Sequence, residues 1–489
     1  MKKTQHLTLH RVANARPVIP SGWQITSLLI FTGLPMASGA QTGELLLSPN
    51  SSLKGAVTSP GSALPLEPFK YIPPASAGKT KEALDAVKRN PEQQRILDLN
   101  TAGNYQAAGT EGLALMSREK LDDDLQLIVA NSLAWTGRTK EAIPTYQALA
   151  NGQYANEANV GIANLFRWNG RDDQAAPLYR AVLAKDPENK DAIEGLELTA
   201  RELSPRTTIS FGGSRDSSDI QVRAATINHR WRDNSGSRIM EVEASTTRNT
   251  LPTIQTRQPD ATFRYQALDL ALKPSFEISS ASKISANGNN NGANLFASGR
   301  INLFDDQLAL RAGRVNWGRI STNPNGIASN LAAWNTGLTW NQSLPIGRLT
   351  ARGDFYSISD GNRIVTSSVN LASAWRPLGN HFKPFVGIET RDAKFNSANY
   401  WSPSQGYGTA YAGVLAEWDG PDWNFYTSAQ FGVPLYGDAG NSWNVLVGGK
   451  RWITSDVAVG FSAGSLASKR DNSEYRAKSA NVSLEKLWK

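Results

Sequence analysis

The chain has 489 residues, 51 Lys and Arg against 43 Asp and Glu for a net charge of +8, and no cysteine. The missing cysteine excludes disulfides, thiolate metal centres, thiol nucleophiles and a lipid-modified amino-terminal cysteine. The length admits two or three domains. The basic residues are scattered, with no basic helix or aromatic-interleaved basic strand, which argues against nucleic acid as a partner.

Residues 1–40 read as a signal peptide. Lys2, Lys3, Arg11 and Arg16 precede an apolar run from Ile25 to Leu34, and Ser38-Gly39-Ala40 supplies the small residues for cleavage before Gln41. The run is too short for a spanning helix, which needs about 20 apolar residues. No later segment approaches that length, so any membrane crossing must be built from strands. Residues 41–78, rich in Ser, Pro and Gly, read as a linker.

From residue 79 to 204 the apolar spacing is helical, and an internal repeat emerges. Trp135, Gly137, Arg138, Ala142, Pro144 and Tyr146 recur 33 residues later as Trp168, Gly170, Arg171, Ala175, Pro177 and Tyr179. A fainter copy places Gly103 and Ala108 one period earlier, with Tyr105 and Leu115 as packing residues. This predicts helix, tight turn, helix, with the glycines at the reversals and the alanines at close helix approaches. Asp186-Pro187-Glu188-Asn189 predicts a further helix with proline in its first turn, and Ala192–Leu203 reads as the closing cap. The Trp-x-Gly-Arg pattern resembles the tetratricopeptide repeat, which implies a surface for docking partner proteins.

Residues 205–489 lose helical spacing and become short alternating segments separated by Gly, Asn, Asp, Ser and Pro. Trp423, Phe425, Thr427, Ala429, Phe431 and Val433 alternate with Asn424, Tyr426, Ser428, Gln430 and Gly432. Leu349, Ala351, Gly353 and Phe355 alternate with Arg348, Thr350, Arg352 and Asp354 in the same way. One face suits lipid and the other suits water. Long connections are expected at 248–261, 287–294, 321–330, 394–406 and 435–442, and short ones between, as in an outer-membrane barrel of about sixteen strands. Strand parity then turns Arg230, Glu241, Glu243, Arg300, Arg348, Arg352, Asp354, Tyr356, Glu389, Arg391, Glu417 and Tyr426 into the lumen. Trp231, Trp334, Trp340, Trp375, Trp418 and Trp423 fall near strand ends, where interfacial aromatic girdles belong.

The expected fold class is therefore α plus β, a short helical repeat domain followed by an antiparallel transmembrane β-barrel. No nucleophile elbow, P-loop or dinucleotide fingerprint is present, and Glu241 and Glu243, two apart on one strand, read as channel lining rather than a glycosidase pair. His229 and His381 have no partner at metal-ligand spacing. Neither an enzyme nor a cofactor nor a metal is expected.

The order of parts, signal, linker, Trp-x-Gly-Arg repeats and barrel, resembles the exopolysaccharide export porins of the cellulose and poly-N-acetylglucosamine type. Tyr400-Trp-Ser-Pro-Ser-Gln405 is similar to a Tyr-x-Ser-Pro-Gln stretch of cellulose-type barrels and of phage-adsorption outer-membrane proteins. The resemblance implies an outer-membrane location with the helical domain in the periplasm, and docking of polysaccharide synthesis or secretion proteins on the repeats. It also implies a glycan in the lumen, and the mixture of charges there suits a neutral or weakly charged one, stacking on Tyr356 or Tyr426. A surface receptor for phage or another partner, and a general porin, are the alternative functions.

Overall fold

The structure is a computed structural model. It describes residues 89–285, 290–304, 307–321, 324–344, 346–373, 381–403, 405–420, 422–437, 439–470 and 473–488. The expected signal peptide and linker, the start of the expected helical region and Trp375 lie outside the described residues.

Among the described residues, seven helices precede the barrel: α1 (Pro91–Thr101), α2 (Tyr105–Met116), α3 (Asp123–Trp135), α4 (Thr139–Gln147), α5 (Ala155–Trp168), α6 (Asp172–Leu183) and α7 (Lys190–Leu203). The repeated glycines end helices. Gly103, Gly137 and Gly170 have φ of 77°, 74° and 70°, a left-handed conformation that glycine adopts without a Cβ clash. Each following residue folds back on its helix: the amides of Asn104, Arg138 and Arg171 donate to the carbonyls of Leu99, Leu133 and Phe166 at 2.8, 2.9 and 2.8 Å. The next helix then lies close, with Ala108, Ala142 and Ala175 fully buried.

The repeated tyrosines lock successive helices. Tyr146 donates to Asn131 Oδ1 and Tyr179 to Asn164 Oδ1, each at 2.7 Å. Their rings lie over Gly161 and Gly195, where an added Cβ would meet them at 2.5 and 2.4 Å. Trp135 packs edge-on against Tyr105 at 4.6 Å, and Trp168 joins the same core. One expectation fails: Pro187 precedes α7 rather than opening it. Asn189 caps that helix by accepting from the Ala192 amide at 3.1 Å, so proline shapes only the preceding turn.

The barrel begins two residues after α7. Its first eight strands are β1 (Arg206–Asp216), β2 (Gln221–Arg232), β3 (Arg238–Thr250), β4 (Gln255–Ala267), β5 (Ser275–Ser285), β6 (Asn290–Leu303), β7 (Leu308–Asn316) and β8 (Ala332–Leu344). The others are β9 (Gly347–Ile358), β10 (Arg363–Ser373), β11 (Phe382–Ala393), β12 (Tyr407–Asp419), β13 (Trp423–Gly437), β14 (Ser442–Trp452), β15 (Val457–Arg470) and β16 (Ser473–Leu487). All sixteen pair antiparallel in chain order, and β16 closes on β1. The even strand count brings both ends of the barrel segment to one rim, called here the helical end.

Exposure along the strands is inverted relative to a water-soluble protein. Phe211 (59%), Leu295 (63%) and Val482 (54%) face outward, while Asn302, Asn341, Asn444 and Glu485 on the opposite face are buried. A closed ladder hydrogen-bonds every strand to two neighbours, and this outer surface is suited to hydrocarbon.

The connections correct the expected alternation of long and short loops. Residues 248–261 are mostly strand, the reversal being confined to Leu251–Ile254, where the Leu251 amide donates to the Ile254 carbonyl at 2.8 Å. β6 reaches back to Asn290 and β13 forward to Gly437, while the connection expected as a tight turn at 273–275 spans 268–274. Polar strand ends caused the misreading, since a strand that continues beyond an apolar band carries loop-like residues. Among the described residues the extended connections are those between β7 and β8 and between β11 and β12, and the first holds two short helices, α8 (Trp317–Ser321) and α9 (Pro324–Ala328).

The helices are fastened to the helical end. Asp172 at the start of α6 is wholly buried (0%) and pairs at 3.3 Å with Arg232 (3%) at the end of β2. Arg206 donates to Glu202 Oε2 at 3.1 Å and to the Arg201 carbonyl at 3.0 Å. Arg201 lies 5.3 Å from the Trp452 ring at the end of β14. Burial pushes the Asp172 carboxyl up to about 7, against the pull of Arg232.

Candidate functional site

The inner wall of the barrel carries the polar residues, because the period of two along a strand sends alternate side chains inward. Several of its charges meet neighbours of opposite sign. Arg264 of β4 bridges Glu241 (2.5 Å) and Glu243 (3.0 Å) of β3 and Glu277 (2.7 Å) of β5. Asp354 of β9 accepts from Arg352 at 2.7 Å and also pairs with Arg311 of β7. Lys383 pairs with Glu417 across β11 and β12, and Lys450 with Glu485 at 2.7 Å.

Neutral groups fill the wall between these pairs. Asn228 donates to Glu241 at 2.8 Å, Arg300 to Asn302 at 3.0 Å, and Thr350 to Asn341 at 3.0 Å. A wall of this kind offers many hydrogen bonds and charges of both signs to a passing molecule.

The two extended connections fold against this wall at the far end of the barrel. Trp317 is buried between Tyr356 (5.1 Å) and Tyr400 (5.4 Å). Arg391 lies over the rings of Trp401 (5.1 Å) and Trp317 (6.0 Å) and donates to the Trp401 carbonyl at 3.2 Å. Asn294 of β6 donates to Asn330 at 2.5 Å, and α9 packs on β4 and β5. The Tyr-Trp-Ser-Pro stretch is therefore part of an aromatic core that holds both connections inward.

Every sequence-selected wall residue lies on a buried or half-buried strand face, but in three groups. Arg230, Glu241, Glu243, Arg300, Arg348 and Glu417 cluster toward the helical end, with Tyr426 opposite Glu417 in register. Arg352 and Asp354 are further along, and Tyr356, Glu389 and Arg391 lie by the inward connections. Tyr356 is covered by Trp317, and the Tyr426 hydroxyl sits where a Cβ on Gly448 would be, at 2.3 Å. Glu241 and Glu243 share one arginine, so they are not set out as an acid and a base.

Sequence reasoning missed the centres of these clusters: Arg264, Arg311, Lys383, Lys450 and Glu485. The signal existed for some of them. Lys450 alternates with the outward Trp443, Val445 and Val447, whereas Arg264 fell beside residues misread as loop. His229 is outside the wall, stacked on Trp231 at 5.5 Å, and His381 stacks on Trp418 at 6.0 Å.

No protein-family model and no curated protein matches the sequence. Among solved structures, the chain is similar to a bacterial polysaccharide outer-membrane secretin, with a TM-score of 0.47, 11% identity, and coverage of 59% of this chain and 99% of that one. OccK1 (OpdK) of Pseudomonas aeruginosa is similar with a TM-score of 0.32, 8% identity, and coverage of 58% and 98%. The monoaromatic hydrocarbon channel CymD gives a TM-score of 0.31, 10% identity, and coverage of 60% and 91%. The carboxy-terminal region is a closed antiparallel sixteen-strand β-barrel with an apolar exterior, the architecture of outer-membrane barrels.

Proposed function

We propose that the barrel exports a neutral or weakly charged polysaccharide across the outer membrane, with the helices in the periplasm as a tetratricopeptide-like platform for synthesis or secretion proteins. The observation that carries this reading is the close interleaving of both signs along the wall, at Arg264, Asp354, Lys383 and Lys450. A polyanion would be expected to select an arginine-rich wall and a polycation a carboxylate-rich one. A wall of interleaved signs, amides and hydroxyls suits a polyhydroxylated chain that must slide rather than stick. Attachment of the helices at the rim where β1 begins would bring a docked partner to the mouth of the channel.

A passive pore for small solutes is the second reading, favoured by the two connections that fold inward at the far end. The test is the double variant Arg311→Ala with Arg352→Ala, two partly exposed cations of the wall, because Tyr356 lies under Trp317. Export predicts reduced secreted glycan from a barrel that still assembles and shifts on unheated gels. Normal secretion from the assembled variant would remove these residues from the path, and a wild type that secretes no glycan but admits small sugars would favour the pore.

A further inference from the structure

The outer surface carries a row of cations that the channel reading does not use. The register of three neighbouring strands sets Arg223 of β2 opposite Arg248 of β3, and Arg248 opposite Arg257 of β4. All three share the outward parity of Ile227 and Val242, and all are exposed. Like charges directly opposite one another on a sheet destabilise it unless an anion lies between them. None is supplied by the outward positions of these strands: Ala225, Ile227, His229 and Trp231 on β2, Met240, Val242, Ala244 and Thr246 on β3, and Pro259, Ala261, Phe263 and Tyr265 on β4. Arg257 donates to Thr246 Oγ1 at 3.1 Å, a neutral partner.

The neighbouring strands extend the patch. In the next row toward the far end, Arg215 of β1 stands opposite Lys478 of β16. Arg215 has one carboxylate, Asp219 at 3.2 Å. Gly213, next to Arg223 in the row of three, has no side chain to cover it.

Height decides what the patch meets. Trp231, Met240 and Tyr265 form a row of their own, and each is eight residues from the arginine on its strand. Eight residues span about 26 Å along a strand, or about 20 Å of height at a tilt of about 40°, close to the apolar band of about 25 Å of such barrels. The aromatic row therefore marks one edge of the band and the arginine row the other.

We propose that Arg223, Arg248 and Arg257, flanked by Arg215 and Lys478, bind the phosphates of membrane-lipid headgroups at the far edge of the band. Guanidinium groups meet phosphate oxygens in pairs of parallel hydrogen bonds, and a phosphate between two opposed arginines turns their repulsion into attraction. The ligand is a lipid because the row immediately below, Ala225, Thr246 and Pro259, has small side chains continuous with the apolar exterior, where acyl chains would lie. A headgroup with two phosphates would engage both rows of cations.

The test uses the full mature chain and the variant Arg223→Gln/Arg248→Gln/Arg257→Gln, reconstituted in phosphatidylcholine vesicles with and without a bis-phosphorylated glycolipid. Native mass spectrometry should show the wild type retaining the glycolipid and the variant binding it roughly a hundredfold more weakly, about fivefold per cation. In dodecyl maltoside, which carries no phosphate, the variant should melt no lower than the wild type, since repulsion has been removed. Equal retention by both proteins would overturn the proposal. So would inorganic phosphate, at millimolar concentration in detergent, reproducing the full stabilisation of the wild type, because the site would then be one for a free anion. Should the triple variant fail to assemble, Arg248→Gln alone should weaken retention about fivefold, and no change would overturn the assignment. The site depends on the barrel's exterior, so loss of glycan export in other variants leaves it untouched.

Discussion

The helical region and the barrel bury opposite chemistries with the same polypeptide. Between α1 and α7 the interior is mainly Leu125, Val129, Leu133, Leu165 and the tyrosine and tryptophan rings, with Asp124, Arg167 and Asp172 as buried charges among them. In the barrel the apolar side chains face out and Asn302, Asn341, Glu389 and Glu485 are buried. The difference teaches that hydrophobic residues follow their solvent: water drives them inward in one region, and a membrane lets them cover the surface of the other. The two regions meet at Asp172 and Arg232, where neither rule applies and a buried charge is held by its partner.

The largest effect that could break this contrast is in the helical core. Tyr179→Ala should cost about 3–5 kcal/mol, since it removes a buried ring and opens a hole over Gly195. Circular dichroism should show the helices melting early while the barrel still resists unheated detergent on gels. Simultaneous loss of the barrel would mean that the two regions do not have separate cores. The converse substitution, Ile227→Arg in the middle of the outward row, should cost the barrel about 2–4 kcal/mol in bilayers and leave helical melting unchanged. Refolding yields as high as wild type would place that face in water.

The joint between the regions should respond to pH. The Asp172 carboxyl, held up at about 7 by burial, binds more protons folded than unfolded between its ordinary range near 4 and about 7. Helical stability should therefore fall as pH rises through that window, and Asp172→Asn should reduce the slope. A smaller slope of the same sign should persist from Asp191, which burial pushes up to about 6. Thermal melts at several pH values check this, and an unchanged slope in the variant would contradict it. The smallest effect is expected at Arg95→Ala, whose ion pair with Glu111 at 2.7 Å lies on the surface: its melting temperature should match the wild type.

How far the sequence revealed these regions follows from how local the determinants are. The repeat was legible because Gly137, Ala142 and Tyr146 perform tasks within one helical hairpin, and the 33-residue spacing exposes the second copy. Gly161 and Gly195, which receive the tyrosines, were missed because each serves a ring from an earlier helix. In the barrel the inward or outward sense of β9 and β13 followed from alternation. Loop lengths did not, since the strand ends around Leu251 are polar on both faces. The clustering of the wall was illegible: Arg264 meets Glu277 only through pairing of β4 with β5, and Trp317 meets Tyr400 only because both connections turn inward.

The proposed function requires a barrel that conducts through a wall carrying both signs. Single-channel recording of the mature chain in planar bilayers tests that most directly, with a salt gradient and a neutral oligosaccharide added to one side. Discrete current steps with weak preference between cation and anion, interrupted by brief blockades from the oligosaccharide, are the predicted result. A strong preference for one sign of ion, or steps that the oligosaccharide never interrupts, would contradict it.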